Sequence, residues 1–212
     1  NFIYMIIKVK DNDYLGIPKF QSDLAERTTK PGVVTGMAWT AAGGDILFVE
    51  SSKMRGKGLL TLTGQLGDVM KESAAAAFTY VKSHTDILGL KEDFAEKMDI
   101  HVHCPAGAIP KDGPSAGVGM VTSLVSLLTD KPVKSKLSMT GEITLRGNVL
   151  AIGGVKEKVT AAHRAGIRTI ILPFANKRDL EEIPAHIKKD LKFHFAKEVM
   201  DVIDVAIPDL KK

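Results

Sequence analysis

The stretch PKDGPSAGVGMVTSLVSLL at residues 110–128 combines a turn with an apolar helix, and it decides how the fold is predicted. Gly113 and Pro114 predict a loop that ends at Ser115. Residues 118–128 are apolar on almost every side of the predicted helix, so we expect this helix to be buried. Ser115 is therefore predicted to lie in the first turn of a fixed, buried helix.

Strand-like and helix-like segments alternate around this stretch and predict an α/β (α+β) fold, a single domain with mixed β-sheets and packed helices. Upstream, residues 33–39, 45–50 and 59–63 are typical of three strands in a β-meander. Residues 66–88 show helical spacing of apolar positions, and Gly89 is predicted to end that helix. Downstream, strands are predicted at residues 100–104, 137–139 and 169–172, and helices at residues 115–128, 156–165 and 197–206.

Length and composition favour one large globular domain. The 212 residues are 44% hydrophobic and 25% charged, which excludes wholesale disorder. Residues 1–30 show no sustained periodicity and run into Pro31 and Gly32, so we interpret them as a connecting segment before a domain at residues 31–212. Because the chain begins with Asn1 rather than Met, we expect it to be a piece of a longer polypeptide.

Charge and cysteine usage narrow the class of protein. The net charge is +4, but basic residues are mixed with acidic ones, a pattern that does not favour nucleic-acid binding by this domain. The single cysteine, Cys104, has no internal disulfide partner, so we expect a reducing compartment: the cytoplasm, or alternatively an organelle matrix. The apolar run near the start ends at Lys8, too short for a membrane span and without a signal-peptide layout.

Ser115 is a candidate nucleophile because of its place at the start of a helix. Unpaired N–H groups at a helix N-terminus can stabilise the oxyanion that forms when a hydroxyl attacks a carbonyl carbon. The loop can therefore supply both the nucleophile and the oxyanion donors. The alternative is that Ser115 is only an N-cap, the commonest use of serine at this position.

Lys158 is the candidate base. In a helix over residues 156–165, Lys158 shares one face with Val155, Val159 and Ala162, whereas Lys156 lies on another face. Burial disfavours the charged ammonium, and a fall of the pKa from about 10.4 towards neutrality requires about 4 kcal/mol, which desolvation can supply. The alternative is a side chain that lies over the core and keeps its amine in water.

Several long segments in a fixed order resemble the protease domain of the Lon family. They are PKDGPSAG at residues 110–117, MTGEITLRG at 139–147, IGGVKEK at 152–158 and AAHRAGI at 161–167. The similarity extends upstream through GLLTLTGQLGDVMKES at 58–73 and downstream through LPF at 172–174 and NKRD at 176–179, and it covers nearly the whole chain from about Tyr14. Several motifs in register are far more specific than one short pattern.

The resemblance implies a serine endopeptidase with a Ser/Lys dyad. The serine of PKDGPSAG and the second lysine of GGVKEK correspond to Ser115 and Lys158. The resemblance also implies that Thr140 hydrogen-bonds the lysine, that Asp112 influences an open or closed state, and that Gly113 belongs with them in supporting the dyad or the oxyanion. The alternatives are a strand-end hydroxyl bonded to backbone for Thr140 and a turn-stabilising carboxylate for Asp112.

The resemblance further implies a two-part machine. An AAA+ ATPase module of the same polypeptide, which binds ATP and Mg, would unfold substrates and feed them to this domain. This domain would need no cofactor, metal or membrane, and the full-length protein would form a homohexamer that degrades unfolded, damaged or regulatory proteins in protein quality control. Tyr14 to Phe20 is similar to the segment that joins the two modules, so residues 1–30 are expected to include the end of the ATPase module.

Three other interpretations remain open from the residues. His101 and His103 lie on one face of a strand and could bind a metal, although further ligands at suitable spacing are absent. Cys104 could be a thiol nucleophile, but adjacent strand residues point to opposite faces and a lone cysteine is more often buried. The domain could also be a catalytically silent Lon-like interaction domain, a reading that the presence of both Ser115 and Lys158 disfavours.

Overall fold

The structure is a computed structural model of the chain, and it describes residues 30–40, 43–91, 93–105 and 109–211. The predicted connecting segment at residues 1–30 therefore lies outside the described residues except for Lys30. The strands are β1 (Val33–Thr40), β2 (Gly43–Arg55), β3 (Leu60–Thr63), β4 (Met98–His103), β5 (Leu137–Met139), β6 (Glu142–Ile143), β7 (Val149–Leu150), β8 (Thr169–Pro173) and β9 (Lys192–Ala196).

The helices alternate with these strands. They are α1 (Asp68–Ser83), α2 (Phe94–Lys97), α3 (Gly117–Thr129), α4 (Val155–Arg164), α5 (Ala185–Asp190) and α6 (Val199–Ala206), with 3₁₀-helices at Pro114–Ala116, Phe174–Glu182 and Pro208–Lys211. The described residues thus confirm the predicted α/β fold with a mixed sheet and packed helices.

Seven of the described strands form one mixed sheet in the order β3-β4-β2-β1-β5-β8-β9. The β1–β2 and β2–β4 pairs are antiparallel, whereas β1–β5, β5–β8, β8–β9 and β3–β4 are parallel. The remaining two, β6 and β7, form a separate antiparallel pair. The sheet lies between two apolar clusters: Val34 and Val49 belong to the one that includes α1, α3 and α6, and Met37 to the one that includes α4 and α5.

The predicted β-meander is wrong in its third strand. β3 pairs in parallel with β4, and β4 lies between β3 and β2. The reason is a side chain that is distant in sequence: the Asp99 carboxylate accepts hydrogen bonds from the N–H groups of Lys57 and Leu59, both at 2.8 Å. These bonds hold the turn after β2 against β4, so β3 joins the outer edge of β4.

The first predicted helix is shorter than its apolar periodicity indicates. α1 ends at Ser83, where the Ser83 hydroxyl donates to the Tyr80 carbonyl at 3.1 Å and His84 leaves helical geometry. Gly89 has φ +65°, but it lies in turns beyond the helix, so the prediction that it ends α1 is wrong. The helix predicted at residues 115–128 is confirmed with its start shifted to Gly117, and residues 117–127 are buried as predicted.

The remaining predicted elements agree with the structure within two residues, except that β2 continues to Arg55, five residues beyond its predicted end. The sequence pattern did not predict α2, α5, β6, β7 and β9. β5 is the central parallel strand between β1 and β8, and it ends at Met139. Thr140 therefore follows directly from the carboxyl end of a parallel strand, the edge at which α/β sheets place ligand sites.

Candidate active site

A cleft of about 1070 Å³ opens where three parts of the fold meet. One wall is formed by β1 and β2, with Met37, Trp39, Ile46 and Phe48. The second wall is the loop of residues 109–116, and the third is the segment of residues 151–158 that starts α4. Ser115 and Lys158 both line this one cleft, although 42 residues lie between them in the sequence and neither motif alone predicts the other.

Ser115 lies in the 3₁₀-helix Pro114–Ala116 that leads directly into α3. Its backbone is held by the chain that follows β5: the Ser115 carbonyl accepts hydrogen bonds from the Gly141 N–H at 2.8 Å and from the Thr140 hydroxyl at 3.1 Å. Neither the 3₁₀-helix nor α3 has a side-chain N-cap bond, and the N-cap residue of α3 is Ala116. The alternative of Ser115 as an N-cap is therefore wrong, and its hydroxyl is not used to cap the helix.

Lys158 lies in the first turns of α4 and is only 3% exposed. On the same face of α4 lie Val155, Val159 and Ala162, which belong to one apolar cluster, while Lys156 is exposed. The prediction of a buried lysine on the apolar face is confirmed, and the alternative of an amine held in water is wrong. Burial lowers the pKa of the Lys158 ammonium to about 8. This lowering corresponds to about 3 kcal/mol of destabilisation of the charged form.

Thr140 connects the two candidate residues. Its hydroxyl oxygen accepts a hydrogen bond from Lys158 Nζ at 3.4 Å and donates its own proton to the Ser115 carbonyl at 3.1 Å. Thr140 is 1% exposed, so both bonds lie away from water. The bond to Lys158 that the resemblance implied and the bond to backbone that was its alternative are both present. Among the described residues, no hydrogen bond joins Ser115 and Lys158 directly, and Thr140 lies between them.

Asp112 lies in the same loop but faces helix α1. Its Oδ1 accepts hydrogen bonds from the Met70 N–H at 3.0 Å and from the Gly113 N–H at 2.8 Å. Met70 is in the first turn of α1, where N–H groups lack partners within the helix, so Asp112 caps α1 from outside. Gly113 has φ +107°, a conformation that favours glycine. Its N–H group is occupied by Asp112 and not directed to an empty position.

Two residues at this site were not predicted. Ser73 on α1 donates a hydrogen bond to the Pro114 carbonyl at 3.3 Å and is buried. Gly141 fixes the Ser115 carbonyl, and its own carbonyl accepts a bond from the Val118 N–H at 3.1 Å. Helical spacing, which identifies Lys158, would also have identified Ser73, because Ser73 is a polar residue on the buried stripe of Met70, Ala74 and Ala77. Backbone bonds such as those of Gly141 leave no comparable signal.

The other candidate residues are placed differently. His101 and His103 do share a face. One ring nitrogen of each hydrogen-bonds the Thr63 hydroxyl: Nε2 of His101 at 2.8 Å and Nδ1 of His103 at 2.7 Å. Cys104 is completely buried, and desolvation raises the pKa of its thiol to about 11, the opposite of activation. Within the described ranges, no group of three or more histidine, cysteine or acidic side chains is arranged to hold a metal ion.

Of the helices in the described residues, none has the length and apolar character that a membrane span requires.

Comparison with known proteins finds similarity over most of the chain. Residues 6–209 match the family model of the Lon protease (S16) C-terminal proteolytic domain. The chain is 60% identical over 195 residues to the Lon protease of Desulfosudis oleivorans, which covers 92% of this chain and 24% of that protein. It is 55% identical over 196 residues to the Lon protease of Escherichia coli, covering 92% of this chain and 25% of that protein.

A third relative, the Lon protease of Anaeromyxobacter dehalogenans, is 59% identical over 197 residues, 93% of this chain and 23% of that protein. The chain thus spans about a quarter of the length of the curated relatives that it matches. The motifs around the cleft, its architecture and these matches agree, and the chain belongs to the peptidase family of Lon protease (S16) C-terminal proteolytic domains.

Proposed function

We propose that this chain hydrolyses peptide bonds through a Ser115/Lys158 dyad and a covalent acyl-enzyme. The observation that carries the proposal is the burial of Lys158 in the wall of the cleft that Ser115 also lines. Burial of a lysine destabilises the fold, and a catalytic use of the lowered pKa accounts for a lysine at such a position. An amine with a pKa of about 8 is neutral in part at physiological pH. Such an amine can accept the proton of a serine hydroxyl.

In the acylation step, neutral Lys158 Nζ takes the proton from Ser115 Oγ as Oγ forms a bond to the peptide carbonyl carbon. The carbon–nitrogen bond then breaks, and the Lys158 ammonium returns a proton to the leaving amine. In the second step, Lys158 takes a proton from water, the hydroxide attacks the acyl carbon, and the bond to Ser115 Oγ breaks as the serine is protonated again. Lys158 accepts and releases one proton in each step, so Ser115 and Lys158 suffice for the proton transfers.

The reaction requires Lys158 Nζ to come within about 3 Å of Ser115 Oγ. In this structure Lys158 is instead bonded to Thr140 at 3.4 Å. We expect substrate binding to bring the serine hydroxyl to the amine while Thr140 keeps the amine in place. The long Lys158–Thr140 bond leaves the lysine tip free to form this second, shorter contact.

The oxyanion is expected to be stabilised by backbone N–H groups of the loop around Ser115. Gly113 can take part only when its N–H leaves the Asp112 carboxylate, to which it now donates at 2.8 Å. Asp112 therefore links loop conformation to helix α1, which supports its proposed influence on an open or closed state.

We propose that the peptide substrate lies along the edge of β1 at Ala38 and Trp39. β5 pairs with β1 at Gly36 alone, so in the described part of the chain no strand covers these two residues on that side. Both residues line the cleft beside Ser115 and Lys158. An extended chain can add to such an edge through backbone hydrogen bonds, which do not depend on side-chain identity. This mode suits an enzyme that accepts many unfolded sequences.

For the full-length protein we propose an ATP-dependent protease that forms a homohexamer in the cytoplasm or an organelle matrix. An AAA+ ATPase module of the same polypeptide would bind ATP and Mg and deliver unfolded, damaged or regulatory proteins. The isolated chain is then expected to cleave small or unfolded peptides slowly. Efficient degradation of a folded protein by the isolated chain would contradict this division of labour.

The test is the cleavage of unfolded casein and of a fluorogenic peptide by the chain and by Ser115→Ala, Lys158→Ala and Lys156→Ala, each checked for folding. Lys156→Ala is the matched control, because Lys156 lies two residues away on the exposed face of α4. We expect the first two variants to be folded and inactive and the control to keep its activity. If Ser115→Ala retains activity and thiol-directed reagents abolish it, Cys104 and not Ser115 is the nucleophile. Inactivity of all four, in the isolated and the full-length chain, would favour an interaction domain.

A further inference from the structure

Gly44, at the start of β2, lies against the backbone of the helix that carries Lys158. A methyl group built on Gly44 would lie 2.0 Å from the Glu157 carbonyl oxygen and 3.0 Å from the Lys158 nitrogen. The atoms in the way belong to the backbone of α4, so no side-chain rotation relieves the contact. Only glycine permits the β1–β2 hairpin to approach the first turns of α4 this closely.

Two further contacts hold the hairpin end on α4. Arg164, in the last turn of the helix, donates a hydrogen bond to the Gly44 carbonyl at 3.3 Å. Trp39 is the cross-strand partner of Gly44, and its ring covers Gly154, the N-cap of α4, so closely that a methyl group there would lie 2.9 Å from the indole. Gly44 thus faces the backbone of Glu157 and Lys158 between contacts at the two ends of the helix.

This contact bears directly on the depth at which Lys158 is buried. Real side chains almost never approach within 3.0 Å, so a β-carbon at position 44 must push α4 and the hairpin end apart by about 1 Å. A displacement of that size at a reacting group can reduce the rate about 100-fold. Lys158 moves with the helix, whereas Ser115 is anchored separately to Thr140 and Gly141.

We propose that Gly44 is a positioning residue that sets the place of Lys158 relative to Ser115. The inference rests on the proposed role of Lys158 as the base. Gly44 touches no reacting atom itself; it acts through the backbone of α4.

The neighbouring glycine provides a matched control. Gly44 is not among the glycines with positive φ, so alanine is conformationally permitted there and only the contact with α4 opposes it. Gly43 has the opposite properties: its φ of +115° disfavours alanine, but an added β-carbon would meet nothing within 4 Å. Gly43→Ala therefore strains the same hairpin without displacing α4.

The experiment measures kcat and KM for the fluorogenic peptide across pH, together with thermal unfolding, in the parent chain, Gly44→Ala and Gly43→Ala. For Gly44→Ala we expect kcat to fall about tenfold or more with little change in KM. We also expect the pH midpoint of activity to rise, because water that enters behind α4 stabilises the Lys158 ammonium. Gly43→Ala should lose thermal stability but keep the parent midpoint and a kcat within about threefold.

The charged residues of the same cleft are Asp45 on the hairpin, Glu157 on α4, and Lys111 and Asp112 on the loop, and these variants change none of them. Trp39, the chain's single tryptophan, gives an independent readout, since its fluorescence should shift when α4 moves from the hairpin. Equal kcat, pH midpoint and fluorescence in Gly44→Ala and Gly43→Ala would overturn the inference.

If Gly44→Ala does not fold, Arg164→Met decides, since it weakens the same attachment from the exposed side of α4. It should raise the pH midpoint and lower kcat a few-fold, and an unchanged midpoint would count against the role of Gly44. Lys158→Ala, measured in parallel, distinguishes a failure of the proposed dyad from a failure of the positioning role of Gly44. An active Lys158→Ala would refute the dyad, whereas an inactive Lys158→Ala with an unaltered Gly44→Ala would refute only the positioning role.

Discussion

Lys158 Nζ lies 3.4 Å from Thr140 Oγ1, and the same oxygen donates its proton to the Ser115 carbonyl 3.1 Å away. One buried hydroxyl therefore contacts both the lysine side chain and the backbone of the proposed nucleophile. Because a hydroxyl has a single proton, its donation to Ser115 leaves only lone pairs towards Lys158. Thr140 thus accepts from the lysine in either protonation state and does not compete for its proton.

Removal of this hydroxyl should lower activity without unfolding the chain. Thr140→Val keeps the shape of the side chain but leaves the buried Lys158 amine without its acceptor, a loss of about 1–3 kcal/mol. If the loss falls on the transition state, kcat/KM drops about 5- to 150-fold. Thr140→Ser is the matched control and should keep most of the activity, and equal activity of the two variants would show that the hydroxyl has no role.

The activity should rise with pH through the pKa of Lys158. The base must be neutral, and burial lowers the pKa of Lys158 to about 8, so kcat/KM should increase up to about pH 8 and level off above it. Steady-state peptide cleavage over pH 6–10 measures this midpoint. A midpoint near the ordinary histidine value of about 6.5 or the ordinary lysine value of about 10.4 would contradict the assignment.

Replacement of Lys158 should raise the stability of the fold although it removes the activity. The folded-state pKa lies below the unfolded value of 10.5, so the penalty on folding is complete below about pH 8 and disappears as the pH rises to about 10.5. Lys158→Met removes this penalty and should raise the free energy of unfolding at pH 7 by about 3 kcal/mol at most.

The gain from Lys158→Met should shrink as pH rises from about 8 to 10.5, since the folded chain then releases its proton while the unfolded chain keeps it. Urea denaturation of the variant and the parent at pH 7 and pH 10 gives both values. A variant that is less stable than the parent at pH 7 would show that burial of Lys158 carries no penalty.

Part of this site was predictable because it depends on local periodicity. The spacing of Val155, Lys158 and Val159 on one helical face identifies the buried lysine from the sequence alone. The pairing of β3 was not predictable in this way, since it depends on Asp99, about 40 residues away from the turn that it binds. The contacts of Gly141 and Gly44 also escape sequence patterns, because backbone atoms make them and they leave no periodic signal in the sequence.

The family resemblance implies that Asp112 influences an open or closed state. The contacts of Asp112 also predict that its removal lowers the stability of the fold. Asp112→Ala removes the acceptor for the N–H groups of Met70 and Gly113 and should lower the free energy of unfolding by about 1 kcal/mol. Asp112→Asn keeps an oxygen at the same position and should lose less. Thermal unfolding of the two variants measures the difference, and equal losses would show that charge and not capping is responsible.

The most direct test of the central claim is covalent labelling of the chain with a serine-directed fluorophosphonate, followed by peptide mass spectrometry. We expect one adduct, on Ser115, formed at a rate that rises through about pH 8. The adduct should be missing in Ser115→Ala and form far more slowly in Lys158→Met, with Lys156→Ala equal to the parent. Labelling of Ser115 at the same rate in Lys158→Met, or labelling of another residue in place of Ser115, would contradict the proposed dyad.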